Sequence, residues 1–556
     1  MASVYTITLG GKAGQGVKAS GKVIGELLNE LGYYVFILDD YPSLITGGHN
    51  FNRISFSEEE VHAAYRETDI LIALDKNTVE RHKKDLKKEH YIIFDSSAFQ
   101  VEEKNTIAIP SKELMEKVNV PERMRNSAFT GALSYLLGLD FDILAHVFKV
   151  IFKDKAEPNV KIARVAYSYI KQNFAPLLKL KKKGKAKKLT TGNQAIGEGA
   201  VKAGLEIYIA YPMTPSTSIL HYLAKKAPEY KIKVVQPENE IAVINMGLGA
   251  AYAGKRVMVG TSGGGFDLMQ EGFSLAGMTE NPIVVVECQR PGPSTGVPTY
   301  TCQADLSYLL TAGHGEFPRI IVAPGTPDQA FYKSAELLNL VWKYQVPGIL
   351  ISDKNLSENW KNVVIDEKKI KIEKPKMFRG KHYTRYKFTK DGVSPLAFPG
   401  TKDVVVKSCS YEHDEFGITT DDPEKIRKIQ EKRFAKLKYI EKEVERLETV
   451  KVYGKGENVV VTWGSSIGAV LEAIKNLREA RVIQIIYISP FPTRKVTKEL
   501  KDSKKIIGVE ANFRGQLCEL ITEKTGIKVD RKILKYDGRE FDPTELFSEL
   551  KESIKC

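Results

Sequence analysis

Cysteine is scarce in this chain, and its placement excludes more than its number does. Five cysteines, Cys288, Cys302, Cys409, Cys518 and Cys556, are scattered over 556 residues without a CxxC pair. That pattern argues against a disulfide framework, a structural zinc and an iron–sulfur cluster held by this chain. It suits a reducing, cytoplasmic setting. Long apolar runs are missing too. None approaches the roughly 20 residues that span a bilayer, so no membrane is expected as a partner. The opening MASVYTITLGG reads as a strand rather than a signal peptide. Acidic residues are outnumbered, 69 Asp and Glu against 83 Lys and Arg, for a formal net charge of +14. A basic balance suits anionic ligands or an acidic partner. No nucleic-acid module accompanies it, so no nucleic acid is expected either. The wealth of Lys and Glu fits a thermophile.

What is present is an α/β pattern repeated along the chain, predicting several doubly wound, mostly parallel sheets. Residues 1–176 form a first α/β domain. A lysine-rich stretch, 177–188, reads as a solvated linker. Residues 189–353 hold apolar strand patterns at 205–210, 257–260, 283–287, 320–323 and 348–351, alternating with helical ones. Residues 354–450 connect, ending in a charged helix over 423–447 with Ile426, Ile429, Leu437, Ile440, Val444 and Leu447 on one face. Residues 451–556 return to α/β order, with strands at 459–462, 482–488 and 506–510.

The first domain opens as a βαβ unit with GGKAGQG between strand and helix. Gly11, Gly14 and Gly16 read GxxGxG rather than the dinucleotide GxGxxG, yet Asp39 and Asp40 stand where a ribose would want them. An NAD-linked dehydrogenase therefore stays open as an alternative. The GxxxxGK echo at 16–22 is rejected as a P-loop, because Val23 stands where a magnesium-binding Ser or Thr is required.

The most informative stretch is 192–217, GNQAIGEGAVKAGLEIYIAYPMTPST. It reads as a small-residue helix, a strand, then a stiff loop at the carboxyl edge of a sheet, where open α/β folds bind ligands. Pro212 and Pro215 fix φ and hold Thr214, Ser216 and Thr217 in place. Two more loops belong with it: PENE, whose Glu240 leads into a helix, and CQRPGPSTGVPT, whose Arg290 follows a strand. A guanidinium there suits a bidentate pair with a carboxylate. TSGGG, residues 261–265, lets backbone approach a ligand.

These loops closely resemble signatures of the 2-oxoacid:ferredoxin oxidoreductases, with Met213 in place of the usual Ile and Gly264 in place of Pro. The resemblance implies an α subunit of the γ–α fused type: a γ-type domain first, a pyrimidine-binding-type domain of thiamine diphosphate enzymes second, a transketolase C-terminal-type domain last. It implies that Glu240, rather than Glu238, is the catalytic residue that hydrogen-bonds the cofactor's pyrimidine and so activates it. Thr214 and Arg290, with Tyr211, Pro212 and Met213, would face the substrate. Pro215, Ser216, Thr217, Ser262 and Gly263 would face the cofactor. GGKAGQG and the Gly47, Gly48, His49 segment resemble the γ-type domain, where Thr46 replaces the usual Arg; His49 is expected to be a hydrogen-bonded loop histidine. SYEHDEFG, WGSS, PFPT, EANFRGQL and YDGREF resemble later family segments, and His413 is expected in a surface ion pair.

The chain has neither a GDG motif nor an Asn-Asn pair, the oxygen-rich motif that holds diphosphate and Mg²⁺ in thiamine enzymes. By the resemblance, thiamine diphosphate is shared with a β subunit that carries Mg²⁺ and a 4Fe–4S cluster. Coenzyme A is co-substrate and ferredoxin accepts the electrons. The implied reaction is CoA-dependent oxidative decarboxylation of a 2-oxo acid, with 2-oxoglutarate or a broad range including pyruvate as substrate. A non-catalytic interaction subunit is the remaining alternative.

Overall fold

The computed structural model describes residues 3–43 and 48–555. Thr46, Gly47 and Cys556 lie outside the described residues. The chain divides into two compact units: one runs up to Thr190 and takes in Asn359–Val364 and Asp542–Glu545; the other holds Thr191–Glu358, Ile365–Phe541 and Leu546–Cys556. Among the described residues, no helix is long and apolar enough to cross a membrane.

The first unit is built on an eight-stranded sheet in the order Thr106–Ile109, Leu86–Asp95, Thr68–Ala73, Tyr5–Lys12, His49–Ser57, Tyr34–Asp40, Trp360–Val363, Lys188–Thr191. The opening βαβ unit is real but split. His49–Ser57 inserts antiparallel between Tyr5–Lys12 and Tyr34–Asp40, along the full length of both. His49 thus opens a strand and is not in a loop; it is buried, its Nε2 2.9 Å from Nε2 of His82. The glycine turn works as read: Gly16, at φ 74°, starts the helix Val17–Glu30, and a Cβ on it would overlap the Asn126 side chain. The lysine-rich stretch keeps its side chains mostly exposed while its backbone docks. Leu177 and Leu178 donate to Leu136 O, and Lys183 donates to Leu31 O.

In the second unit a seven-stranded sheet runs Tyr487–Ser489, Ile320–Val322, Pro347–Asp353, Ile283–Gln289, Val257–Thr261, Ile207–Ala210, Lys233–Val235. All neighbours are parallel except the first pair. Its central strands, VMVGT and IVVVECQ, are buried at every position, as parallel strands covered on both faces must be. A five-stranded sheet, Val450–Gly454, Ala480–Ile485, Asn458–Trp463, Lys505–Glu510, Arg531–Leu534, is parallel apart from its first strand. The single strand expected over 482–488 is in fact two. Ala480–Ile485 stays in this sheet, whereas Tyr487–Ser489 crosses over to pair with Ile320–Val322 in the other.

The charged helix Pro423–Val444 buries Ile429, Ile440 and Val444, and with them Lys432, Arg433 and Lys436. The two lysines are held by Glu280, wholly buried: Lys432 Nζ lies 2.9 Å from both its oxygens, and Lys436 pairs with it as well, while Arg433 pairs with Glu412 at 3.1 Å. His413 is a correction. It is fully buried, its ring 3.8 Å from that of Tyr386 and its Nδ1 2.8 Å from Asp414 O, with no surface ion pair.

Candidate functional site

Four adjacent parallel strands of the seven-stranded sheet deliver the predicted residues to one carboxyl edge. The strand Ile207–Ala210 runs into the YPMTPST loop, and the helix Thr217–Tyr230 follows. Ser216 is buried and donates its hydroxyl to Met213 O at 2.7 Å, so it shapes the loop from inside. Asn193, also buried, donates to Pro215 O at 2.8 Å and to Ser218 Oγ at 2.7 Å. Tyr211 stays 37% exposed, and Pro212, Met213 and Thr214 are half-buried.

Arg290 leaves the end of Ile283–Gln289, two strands away, and its Nη1 donates to the Thr214 carbonyl at 2.8 Å. The two predicted substrate anchors therefore meet, through the backbone of one and the guanidinium of the other. Arg290 Nε is buried without a partner. Burial lowers the guanidinium's pKa, and Glu287 and Glu240 pull it back up.

Glu240 follows the edge strand Lys233–Val235. Asn239 caps its helix, accepting the Ala242 N–H at 3.0 Å, so Glu240 is the first helical residue, with its carboxylate at the favourable end of the dipole. It is 2% exposed, whereas Glu238 is exposed. Burial raises its pKa, and Arg290 works against that rise. Its Oε1 is buried with no hydrogen-bond partner. An unpaired buried carboxylate oxygen is costly and marks a place where a donor is expected to arrive.

The TSGGG loop at the end of Val257–Thr261 faces that carboxylate. A Cβ on Gly265 would overlap both Glu240 Oε1 and Thr261 Oγ1, so any larger residue there would displace one or both. Ser262 Oγ is buried without a partner, and the Gly263 N–H donates to Glu287 Oε1 at 2.9 Å. Thr299, past the Arg290 turn, likewise keeps a buried, unpartnered Oγ1.

The donor and acceptor set fits an aminopyrimidine on one side and a carboxylate on the other: a buried acid of raised pKa, a glycine cradle beside it, unspent hydroxyls, and a half-buried cation. Chemically it can hold a proton at Glu240 Oε1 and an anion at Arg290. Among the described residues, no group of three or more His, Cys, Asp and Glu could hold a metal ion. Sequence reasoning missed Asn193 and Thr299 as site residues. Both stand inside the quoted motifs, but neither carries a charge to draw attention.

Family models match three stretches: one described as "Pyruvate ferredoxin/flavodoxin oxidoreductase" over residues 6–169, one as "Pyruvate flavodoxin/ferredoxin oxidoreductase, thiamine diP-bdg" over 198–432, and one as "Pyruvate:ferredoxin oxidoreductase core domain II" over 456–546. The chain is 32% identical to the 2-oxoacid:ferredoxin oxidoreductase subunit alpha of Sulfolobus sp, over 98% of this chain and 96% of that one. It is 32% identical to the 2-oxoglutarate synthase subunit KorA of Methanocaldococcus jannaschii, over 64% of this chain and 96% of that one. The solved 2-oxoglutarate:ferredoxin oxidoreductase from Magnetococcus marinus, with 2-oxoglutarate, coenzyme A and succinyl-CoA bound, matches with a TM-score of 0.90 and 30% identity over 99% of each chain.

Proposed function

The chain belongs to the 2-oxoacid:ferredoxin oxidoreductase family, and from that premise we propose that it is the substrate- and pyrimidine-binding α subunit of a working enzyme. The reaction is a 2-oxo acid, coenzyme A and two oxidised ferredoxins giving acyl-CoA, CO₂, two reduced ferredoxins and a proton. The observation that carries the reading is the buried, unpartnered Oε1 of Glu240 against the Gly265 cradle, on the same sheet edge as Arg290 and Thr214.

Glu240 would hold the hydrogen bond to the pyrimidine ring, and burial raises its pKa above the ordinary carboxylate value. Arg290 binds the substrate's carboxylate, with the Thr214 carbonyl fixing the guanidinium's direction. Tyr211, Pro212 and Met213 wall the substrate side. Pro215, Ser216 and Thr217 keep the loop rigid against the cofactor, and Ser262 and Gly263 bring backbone close to it. Thiamine diphosphate, when bound, supplies the electron sink for decarboxylation.

A β subunit supplies the diphosphate and Mg²⁺ ligands that the missing GDG and Asn-Asn motifs leave to it, together with a 4Fe–4S cluster that passes electrons to ferredoxin. Substrates are 2-oxoglutarate or a broad range including pyruvate, since Arg290 reads only the carboxylate all 2-oxo acids share. The domain plan of a γ-type, a pyrimidine-type and a transketolase C-terminal-type segment belongs to the same proposal.

The experiment is Glu240→Gln in the complex co-purified with its partner. Loss of about 10²- to 10⁴-fold in kcat, with the melting temperature of the chain undiminished, is the expected result. A fully active Gln variant, or a chain that purifies alone and loaded with NAD, sinks the proposal.

A further inference from the structure

Behind the glycine loop, the sheet edge brings two carboxyl groups to one place, Glu287 wholly buried and Asp305 half-buried. Glu287, on the strand Ile283–Gln289, is wholly buried, and its Oε1 accepts the Gly263 N–H at 2.9 Å. Its Oε2 is buried and meets no N–H or O–H donor. The Asp305 carboxyl, on the residue before the short helix Leu306–Leu310, comes to the same loop: its Oδ2 lies 3.6 Å from where a Cβ on Gly263 would sit, and its charge bears on Glu287. Two ionised carboxylates do not rest side by side here: they repel, and the buried Glu287 keeps no hydration. A single proton resolves both problems, because an acid O–H then donates to a carboxylate.

The neighbouring groups supply no other solution. The Asp305 N–H is committed to Gln289 Oε1 at 2.9 Å. Tyr308 donates its hydroxyl to Asp267 at 2.5 Å. Asp267 and Asp353 add negative charge, Cys288 is a buried thiol on the opposite side of the strand, bonded towards Asn193, and Arg290 is the cation that feels Glu287.

We infer that Glu287 stays protonated and shares its proton with Asp305, and that the pair is a positioning device for the 262–265 loop. A neutral acid offers an oxygen to the Gly263 N–H and a hydrogen to Asp305 at the same time. An ionised Glu287 offers only the first, and repulsion from Asp305 would drag the loop away from Glu240. Burial raises both groups, Glu287 well above its ordinary value and Asp305 to about 6, in keeping with one proton held at neutral pH. The inference rests on reading the 262–265 loop as part of the cofactor pocket.

The proton is tested on the full chain alone, by melting Glu287→Gln beside the parent. The amide copies the protonated acid, with its carbonyl toward Gly263 and its N–H₂ toward Asp305. A carboxyl that binds its proton more tightly when folded costs stability as pH rises above its ordinary value of 4.5. The Gln variant is therefore expected to melt above the parent by a margin that widens from about pH 5 to about pH 8. A constant or shrinking margin overturns the shared proton.

Positioning is tested in the assembled enzyme. Glu287→Leu leaves the Gly263 N–H unpaired and should raise KM about tenfold or more, with Gln recovering most of the loss. Asp305→Asn should remove the inflection near pH 6 from the kcat/KM profile, and this variant decides the matter if the Leu variant does not fold. Parent-like kinetics in Leu, or an unchanged profile in Asn, overturns the positioning role. A parent complex that neither binds thiamine diphosphate nor turns over a 2-oxo acid condemns the functional reading instead, while the melting comparison still decides the proton.

Discussion

Replacing Arg290 by Lys keeps the charge and removes the fork, which makes it the most direct probe of how the substrate is held. In the structure one arm of the guanidinium is fixed by the Thr214 carbonyl at 2.8 Å, and this leaves the remaining N–H groups aimed by a rigid plane. A lysine ammonium can satisfy the carbonyl or reach the substrate's carboxylate, but it lacks the planar fork that does both at once. The loss is one charge-assisted hydrogen bond, about 1.5–3 kcal/mol, or roughly 10- to 150-fold at about 1.4 kcal/mol per decade. Arg290 is only half-buried, so solvent screening argues for the lower half of that range. The assay is steady-state kinetics of the complex with two substrates, a 2-oxo acid and the aldehyde that lacks its carboxylate. The variant's KM for the acid should rise while its handling of the aldehyde stays as it was, because the contact is to the carboxylate in ground state and transition state alike. Equal effects on both substrates, or an unchanged KM for the acid, would refute the assignment of Arg290 as the carboxylate anchor.

Two further changes test the frame around it. Gly265→Ala puts a methyl where Glu240 Oε1 and Thr261 Oγ1 already sit; activity should fall by about 10²-fold or more with a modest drop in melting temperature, and an active Ala variant would mean Glu240 is not held against this loop. The Glu280 network gives a pH test. Burial lowers Lys436 from 10.5 to about 7 despite Glu280 beside it, with Lys432 and Arg385 adding to the fall, so the folded chain gives up this proton between about pH 7 and 10.5 while the unfolded chain keeps it. Stability from this group therefore rises with pH across that window. Lys436→Met should gain most on the parent below about pH 7 and lose that gain progressively up to about pH 10.5; a pH-independent difference in melting temperature would show that Lys436 does not titrate there.

Much of this was legible in residue order. The apolar runs at 257–260 and 283–287 became the buried strands Val257–Thr261 and Ile283–Gln289, since strands covered on both faces of a parallel sheet read as continuous apolar runs. The glycine turn and the helix from Val17 followed from spacing alone. Sequence order hides pairings distant along the chain. Nothing local says that His49–Ser57 would wedge between the first two strands, or that Tyr487–Ser489 would leave its neighbours for another sheet. His413 misled for a related reason: flanking acids suggest solvent, but Tyr386 supplies a ring face and the backbone supplies the hydrogen bond, which together bury it.

The site was read in the same uneven way, and alternation along a strand explains why. Arg290 announced itself because it follows the strand and is flanked by a rigid turn. Glu287 belongs to the strand, where one face looks toward Asn193 through Cys288 and the other toward Asp305 and Gly263. Inside VVVECQR a single acid reads as a misplaced surface residue, because sequence gives no sign that another carboxyl comes to the same loop. Only the fold brings Asp305 to it. A buried acid facing an acid is stable only with a proton between them, and that proton makes the oxygen facing Gly263 a neutral carbonyl. The loop that cradles Glu240 is thereby tied to a group that changes charge only when its pair does, which is why the Gln and Leu variants at position 287 must behave differently if the loop is placed in this way.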